Sequence, residues 1–155
     1  MMIALTRGYH TEIDFSDWWK VQGHSWYVSI RPNSAYAIAS KNGTTVSMHR
    51  LIKPPPEGMQ IDHKDGNGLH NRWDNLRVAT SKQNNANAFR VENSTGFIGV
   101  NLSSNGRWGA RAVIDGKRQH IGTFDTAEEA AHAYDKWTLK EYGEFAQLNF
   151  PRKIT

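Results

Sequence analysis

The chain has 155 residues, a formal net charge of +4 and no cysteine. This length holds one ordinary domain or two small ones, and the basic balance suits a polyanionic partner without requiring one. The absence of cysteine excludes disulfides and thiolate catalysis, which is typical of a reducing intracellular compartment. No apolar run approaches the roughly 18 residues of a membrane span, and no signal-peptide pattern opens the chain, so we expect an intracellular protein without a membrane partner.

Residues 1–48 have the pattern of a small β-rich region. Strand-like runs at 25–30, 34–39 and 44–48 are separated by turn residues, among them Asn42-Gly43, a strong hairpin signal. Large aromatic side chains bury much area, so we expect them to form the core of this region. They are Trp18, Trp19, Trp26, Tyr27 and Tyr36.

A short segment at 48–53 follows and ends at Pro54-Pro55-Pro56, because proline cannot continue a helix. Its His49 has two interpretations. One is a packing or surface histidine, which is the commoner role; the other is a group that supports a neighbouring site. The sequence leaves both open.

Residues 60–87 predict a hairpin followed by a helix. Short apolar runs at 59–63 and 76–79 indicate two strands, and Gly, Asn and Asp fill the connection between them. Thr80 followed three residues later by Gln83 is a capping-box pattern, which predicts the start of a helix.

Polar residues of this unit are difficult to explain by packing. Neighbouring residues of a regular strand point to opposite faces, so Asp62 and His63 share a site only if the chain leaves regular geometry there. The turn signal Asp65-Gly66 allows this. Asn75 follows on the far side of the loop, and Asn84 lies on the first helical turn.

These residue types match the chemistry of phosphodiester cleavage. Histidine, with an ordinary pKa of about 6.5, suits a general base that activates water. A carboxylate together with an amide oxygen suits a hard divalent ion, and a second amide can orient the imidazole. A lone Asp-His pair is usually structural, but four such residues on consecutive elements indicate an active site.

The same residues closely resemble the motif of HNH endonucleases, in the Asp-His…Asn…Asn form of phage and intron-encoded homing enzymes. The resemblance implies a ββα-metal fold with His63 as general base and Asn75 as the residue that orients it. It also implies that Asp62 and Asn84 bind one divalent ion, Mg²⁺ or Mn²⁺. Many family members carry a cysteine-bound zinc, but this chain has no cysteine and therefore no such structural zinc.

Two arginines flank Asn75 and are candidates for contact with phosphates of DNA, namely Arg72 and Arg77. The alternative, that they are solubilising charges, stays open. Residues 90–96 are polar and predict a short linker.

The remainder predicts a second, compact module. Strand patterns at 97–103, 107–114 and 117–124 precede Thr126 and Glu129, a capping box that opens a helix to about Tyr142. Strand alternation assigns one sheet face to the helix: Val100, Leu102, Trp108, Ala110, Ala112, Ile114 and Ile121. The other face collects polar and basic residues: Asn101, Ser103, Arg107, Arg111, Val113, Arg118 and His120.

Residues 96–151 are similar to the plant ethylene-response-factor (APETALA-type) DNA-binding domain. The matching stretches are Gly-Phe-Ile-Gly-Val at 96–100, Gly-Arg-Trp-Gly-Ala at 106–110, Ile-Gly-Thr-Phe-Asp-Thr-Ala-Glu-Glu-Ala-Ala at 121–131, Ala-Tyr-Asp at 133–135 and Leu-Asn-Phe-Pro at 148–151. The resemblance implies that the open sheet face binds DNA through Asn101, Ser103, Arg107, Arg111, Arg118 and His120. Several contact positions of the plant proteins hold other residues here, including Asn105, Val113 and His120, so the plant recognition sequence is not transferred.

The sequence therefore predicts an α+β protein with four segments: a β-rich region at 1–48, a nuclease core at 49–89, a linker at 90–96 and a DNA-binding domain at 97–151. The expected function is metal-dependent cleavage of double-stranded DNA by a phage or mobile-element endonuclease. Two alternatives stay open: a non-catalytic DNA-binding regulator, and a nuclease for RNA or structured DNA. The sequence also leaves open whether two chains pair as a homodimer.

Overall fold

A computed structural model describes residues 1–32, 34–87, 94–114 and 117–150 of the chain. The chain divides into two compact units, Met1–Asn85 and Ala86–Thr155. Helices combine with antiparallel sheets throughout the described residues, which confirms the α+β class. Most of the predicted linker at 90–96, and the predicted domain end at Pro151, lie outside the described residues.

The first unit contains three small sheets and three short helices within its described residues. In chain order the elements are β1 (Met2–Ala4), β2 (His10–Glu12), α1 (Trp18–Val21), β3 (Tyr27–Arg31), β4 (Ser34–Lys41), β5 (Thr44–Ser47), α2 (Met48–Ile52), β6 (Gln60–His63), β7 (Leu76–Ala79) and α3 (Ser81–Asn87), which crosses the boundary between the units. β1 pairs with β2, β3 with β4 and β5, and β6 with β7. The predicted strands and the predicted Thr80 cap are present, and Thr80 and Gln83 exchange hydrogen bonds as a capping box.

One hydrophobic core serves the whole first unit. Ile13 and Val21, from the β-rich region, are buried together with Met48, Ile52 and Leu76, which flank or belong to the motif hairpin. Residues 1–48 and the nuclease core therefore share their packing instead of forming separate bodies.

The aromatic core prediction needs one correction. Trp18 and Trp26 pack against the core, but Trp19 is 69% exposed, because adjacent residues of α1 project in different directions. The indole N–H of Trp26 donates to the Val21 carbonyl at 2.9 Å, which satisfies the polar atom of this ring.

The second unit is a three-stranded antiparallel sheet packed on one helix. Its elements are β8 (Val100–Leu102), β9 (Trp108–Ile114), β10 (Lys117–Phe124) and α4 (Ala127–Tyr142), and β9 is the central strand. Thr126 and Glu129 form the predicted capping box at the start of α4. Ala130, Ala131 and Tyr134 of α4 are buried in one cluster with small and β-branched residues of the sheet: Val100, Ala110 and Ala112.

Small side chains let the sheet and α4 approach closely. Gly99 has a φ of +73°, and a Cβ built on it would overlap the ring of Tyr134. Leu102 departs from the prediction: it was assigned to the helix side but is 55% exposed, because it is the last residue of the short strand β8.

Among the described residues, none of the helices is both long and apolar enough to cross a membrane.

Candidate active site

The motif residues lie on the β6–β7 hairpin and on α3. β6 and β7 pair regularly, with Asp62 opposite Arg77 and His63 opposite Leu76. Asp62 and His63 therefore start from opposite faces of β6, and the predicted departure from regular geometry occurs only after His63. There the Gly66 N–H donates to the His63 carbonyl at 2.9 Å, and Gly66 has a φ of +73°. Asp62 and His63 are thus neighbours at the end of a two-stranded ribbon, on opposite faces of β6.

His63 is a buried imidazole held in one orientation. Its side chain is 5% exposed, and its Nε2 lies 3.0 Å from Asn71 Oδ1. Burial lowers the pKa of His63 below its usual 6.5, and this outweighs the opposite effects of the Asn71 hydrogen bond and of the carboxylates of Asp62 and Asp65. The ring is therefore neutral near pH 7, as a general base requires.

His49 packs against His63 beside the candidate site. Its ring lies edge-on to the ring of His63 at 5.1 Å, and Tyr36 lies 5.8 Å and 6.0 Å from the two imidazoles. Burial, together with smaller effects of the charges of His63 and Arg50, lowers the pKa of His49 to about 3. His49 is thus a neutral neighbour of the proposed base.

The predicted role of Asn75 needs a correction. Asn75 Oδ1 accepts from the Asp65 N–H at 3.2 Å, and its Nδ2 donates to Asp65 Oδ1 and to the His70 carbonyl at 3.0 and 2.8 Å. Its side chain therefore shapes the loop after His63, whereas Asn71 is the side chain that meets the imidazole. Sequence reasoning missed Asn71, because an asparagine in a turn-rich loop gives no signal beyond turn formation.

The loop itself is a network around Asp65. His70 Nδ1 lies 2.7 Å from Asp65 Oδ2, and the Asn67 N–H donates to Asp65 Oδ1 at 2.8 Å. Burial alone would raise the pKa of Asp65, but the hydrogen bonds from Asn67, His70 and Asn75 hold it below its usual range. A charged Asp65 thus ties both ends of the loop together.

Asp62 is a buried carboxylate paired with Arg77. The Nε and Nη2 atoms of Arg77 each lie 2.8 Å from Asp62 Oδ2, and the Arg77 side chain is only 10% exposed. This corrects the expectation that Arg77 is a phosphate contact at the surface: as the cross-strand partner of Asp62, it is turned toward the carboxylate.

Asn84 is held against the face of β6 that carries Asp62. Its Nδ2 donates to Gln60 Oε1 at 2.7 Å, and Gln60 Nε2 donates to Ser81 Oγ at 3.1 Å. Gln60 and Asp62 are two residues apart on one strand, so their side chains share a face. With its Nδ2 bound to Gln60, Asn84 presents Oδ1 as its remaining polar atom.

The donor chemistry of this face fits a hard divalent ion. Asp62 and Asn84 offer a carboxylate and an amide oxygen, and Mg²⁺ usually takes one or two such protein ligands and keeps water or phosphate for the rest. A cluster of three or more His, Cys, Asp or Glu side chains is the pattern of a zinc cage. The described residues contain no such cluster that could hold a metal.

Arg72 is placed among acids and not on an open basic surface. Its guanidinium lies 3.3 to 3.6 Å from carboxylate oxygens of Glu12, Asp14 and Asp74. Three neighbouring negative charges disfavour a phosphate at this position, so the predicted phosphate contact is not supported by the geometry.

The second unit places its predicted DNA-binding residues on one open face. Across the β9–β10 ladder, Arg111 lies opposite His120 and Val113 opposite Arg118, and all four side chains are exposed. Asn101 on β8 and Ser103 beyond its end are half-buried. Arg107 is exposed, but its Nη2 forms an ion pair with Asp125 at 3.0 Å. The face thus carries exposed cations opposite the side that packs on α4.

Comparison with known proteins identifies both units. A model of the HNH endonuclease family matches residues 54–86, a stretch that contains all four motif residues. An uncharacterised HNH endonuclease of Acanthamoeba polyphaga mimivirus is 30% identical over 154 residues, which cover 96% of this chain and 79% of the viral protein. The chain belongs to the HNH endonuclease family. Protein 3.8 of Escherichia phage T7 is also similar to this HNH family member, with 35% identity over 98 residues, 61% of this chain and 79% of the phage protein.

The C-terminal part of this HNH endonuclease matches plant proteins. Dehydration-responsive element-binding protein 2A of Arabidopsis thaliana is 48% identical over 58 residues, which cover 36% of this chain and 17% of the plant protein. The ethylene-responsive transcription factor ERF084 of the same plant is 49% identical over 57 residues, 36% of this chain and 22% of that protein. These matches confirm an HNH unit followed by an ethylene-response-factor-like domain.

Proposed function

We propose that this HNH endonuclease hydrolyses phosphodiester bonds of double-stranded DNA with His63 as general base and one divalent ion held by Asp62 and Asn84. The C-terminal sheet binds DNA and directs the cut. Its relatives in a phage and a giant virus support a phage or mobile-element endonuclease of the homing or free-standing kind. One chain carries one such motif and therefore cuts one strand, and two chains acting together cut both.

The observation that carries this proposal is the state of His63. Its ring is buried, fixed by Asn71 on one side and neutral near pH 7, and it adjoins the Asp62 carboxylate in sequence at the end of β6. A neutral imidazole held in a fixed orientation is able to take a proton from water.

The proposed reaction starts when His63 takes a proton from a water molecule. The resulting hydroxide attacks phosphorus, and the 3′ oxygen leaves. Asp62 and Asn84 would hold a divalent ion, which would supply positive charge for the phosphate and the leaving oxygen. Mg²⁺ and Mn²⁺ suit this oxygen-only ligand pair. Arg77, which pairs with Asp62, orients the carboxylate.

The test is cleavage of supercoiled plasmid in Mg²⁺, Mn²⁺ or EDTA. We expect nicked product that requires the metal and falls at least 100-fold in His63→Ala, since general base catalysis contributes about 10²- to 10⁴-fold. His10→Ala, at an exposed position of β2, is the control for loss of a histidine and retains wild-type cleavage. Binding of the plasmid without any cutting would instead identify a DNA-binding regulator.

A second pair of variants tests the metal ligands without relying on activity. Asn84→Ala should weaken binding of Mn²⁺ in a calorimetric titration, whereas Asn85→Ala removes the same group from the exposed face of α3 and should leave it unchanged. Equal Mn²⁺ affinities in the two variants would remove Asn84 from the proposed ligand pair.

A further inference from the structure

A continuous chain of hydrogen bonds connects β2 to the imidazole of His63. The hydroxyl of Thr11 lies 2.8 Å from the Leu69 carbonyl, Asn71 Nδ2 lies 2.7 Å from Thr11 Oγ1, and Asn71 Oδ1 lies 3.0 Å from His63 Nε2. Thr11 and Asn71 are completely buried. Neither residue belongs to the HNH motif, and Thr11 precedes Asn71 by 60 residues.

The direction of these hydrogen bonds follows from the groups at their far end. A carbonyl only accepts, so the single hydroxyl proton of Thr11 must go to Leu69, and Thr11 Oγ1 must accept from Asn71. The Gly68 carbonyl lies 3.5 Å from Asn71 Nδ2 and also can only accept. With its Nδ2 directed at these acceptors, Asn71 presents Oδ1 to the histidine. The reversed amide would set two oxygens without a proton against each other at 2.7 Å.

We propose that Thr11 and Asn71 are positioning residues that keep a proton on Nε2 of His63 and so present Nδ1 as the basic nitrogen. The inference rests on the proposed role of His63 as general base, and it assigns that role to the Nδ1 atom. Oδ1 of Asn71 can only accept, so the ring nitrogen facing it must carry a proton.

The backbone fixes this arrangement from both sides of Asn71. The Glu12 N–H donates to the Leu69 carbonyl at 2.9 Å, and the Asn71 N–H donates to the Glu12 carbonyl at 2.7 Å. β2 therefore pairs with residues 69–71 of the active-site loop, with Glu12 opposite His70 at the centre of this pairing and Thr11 directly before it. The N-terminal hairpin acts as part of the active site by holding the loop that holds His63.

The first measurement is the tautomer of His63 by ¹⁵N NMR of the full chain in EDTA at neutral pH, with the resonance assigned by its loss in His63→Gln. We expect a single tautomer with a protonated Nε2 and an unprotonated Nδ1. Thr11→Val keeps the shape but removes the hydroxyl, so we expect a mixture of tautomers. Thr11→Ser restores the hydroxyl and should restore the single tautomer. Ile13→Val, which removes one methylene group from a fully buried neighbour, controls for simple destabilisation and should keep the wild-type tautomer.

Plasmid cleavage by the same variants links the tautomer to the reaction. Loss of one neutral hydrogen bond is worth about a tenfold change, so kcat of Thr11→Val should fall about tenfold while Thr11→Ser and Ile13→Val stay within about threefold of wild type. A wild-type ring protonated on Nδ1, or an unchanged tautomer in Thr11→Val, would overturn the inference even if the enzyme cleaves. A wild-type protein with the expected tautomer that never cleaves would overturn only the proposed function.

Discussion

The low pKa of His49 predicts a specific loss of stability in acid. In the fold the pKa of His49 is about 3, against 6.5 for a free histidine, because burial and the neighbouring charges of His63 and Arg50 disfavour its protonated form. Below pH 6.5, His49 binds a proton in the unfolded chain but stays unprotonated in the folded chain. Stability from this residue is therefore complete above pH 6.5 and is lost as the pH falls toward 3.

The size of the effect follows from the two pKa values. A pH of 5 lies about 1.5 units below the pKa of a free histidine, so protonation of His49 in the unfolded chain lowers the free energy of unfolding by about 2 kcal/mol. At pH 4 the loss rises to about 3 kcal/mol. His49→Phe keeps a flat ring against Tyr36 and His63 but cannot titrate, so its unfolding free energy should depend less on pH by these amounts.

Urea denaturation of the full chain in EDTA at pH 7.5 and pH 5.0 provides the assay. The unfolding transition of the second unit should be the same in the wild type and in His49→Phe, and it serves as an internal reference. His10→Phe, at an exposed histidine, should follow the wild type. The reasoning is refuted if the wild type and His49→Phe lose equal stability between the two pH values.

Two further predictions concern the second unit. Gly99→Ala and Gly106→Ala both place a side chain at positive φ, which costs about 1 kcal/mol, but only the former also drives a Cβ into the ring of Tyr134. Thermal unfolding should therefore show a much larger loss for Gly99→Ala, and equal losses would contradict the close packing of α4 on the sheet. Arg111→Ala, on the open face, should weaken DNA binding about tenfold and reduce its salt dependence by about one charge, whereas Lys136→Ala on α4 should leave specific binding unchanged. Equal effects of both variants in a binding titration at several salt concentrations would remove the sheet face as the DNA site.

Local signals made much of the fold predictable. The strands around Asn42-Gly43, the hairpin ahead of Thr80 and the helix after Thr126 all carry turn or cap residues that act within a few positions. β1, β2 and α1 were not predicted, because each has only three or four residues and no alternation.

The active site likewise contains some features that local sequence signals predict and others that they do not. Residue types and spacing indicated His63, Asp62 and Asn84, but the contact that orients the imidazole depends on the three-dimensional path of the loop and not on the motif. Asn71 reaches His63 because β2 holds residues 69–71, and this pairing leaves no mark on the sequence near the motif. Likewise, the sequence shows only that Arg77 is basic. Its burial against Asp62 follows from the register of the hairpin, which pairs these two residues.

The pairing of β2 with the active-site loop also sets an order of events during synthesis. The hydrogen bond between Thr11 and Asn71 forms only after Asn71, 60 residues later, has been synthesised. Because so long a segment must be closed, we expect this contact to form late in folding. We therefore expect a nascent chain to remain incapable of cutting DNA until at least residue 84 has left the ribosome. The second unit follows only afterwards, so the cutting unit is completed before the unit that directs it.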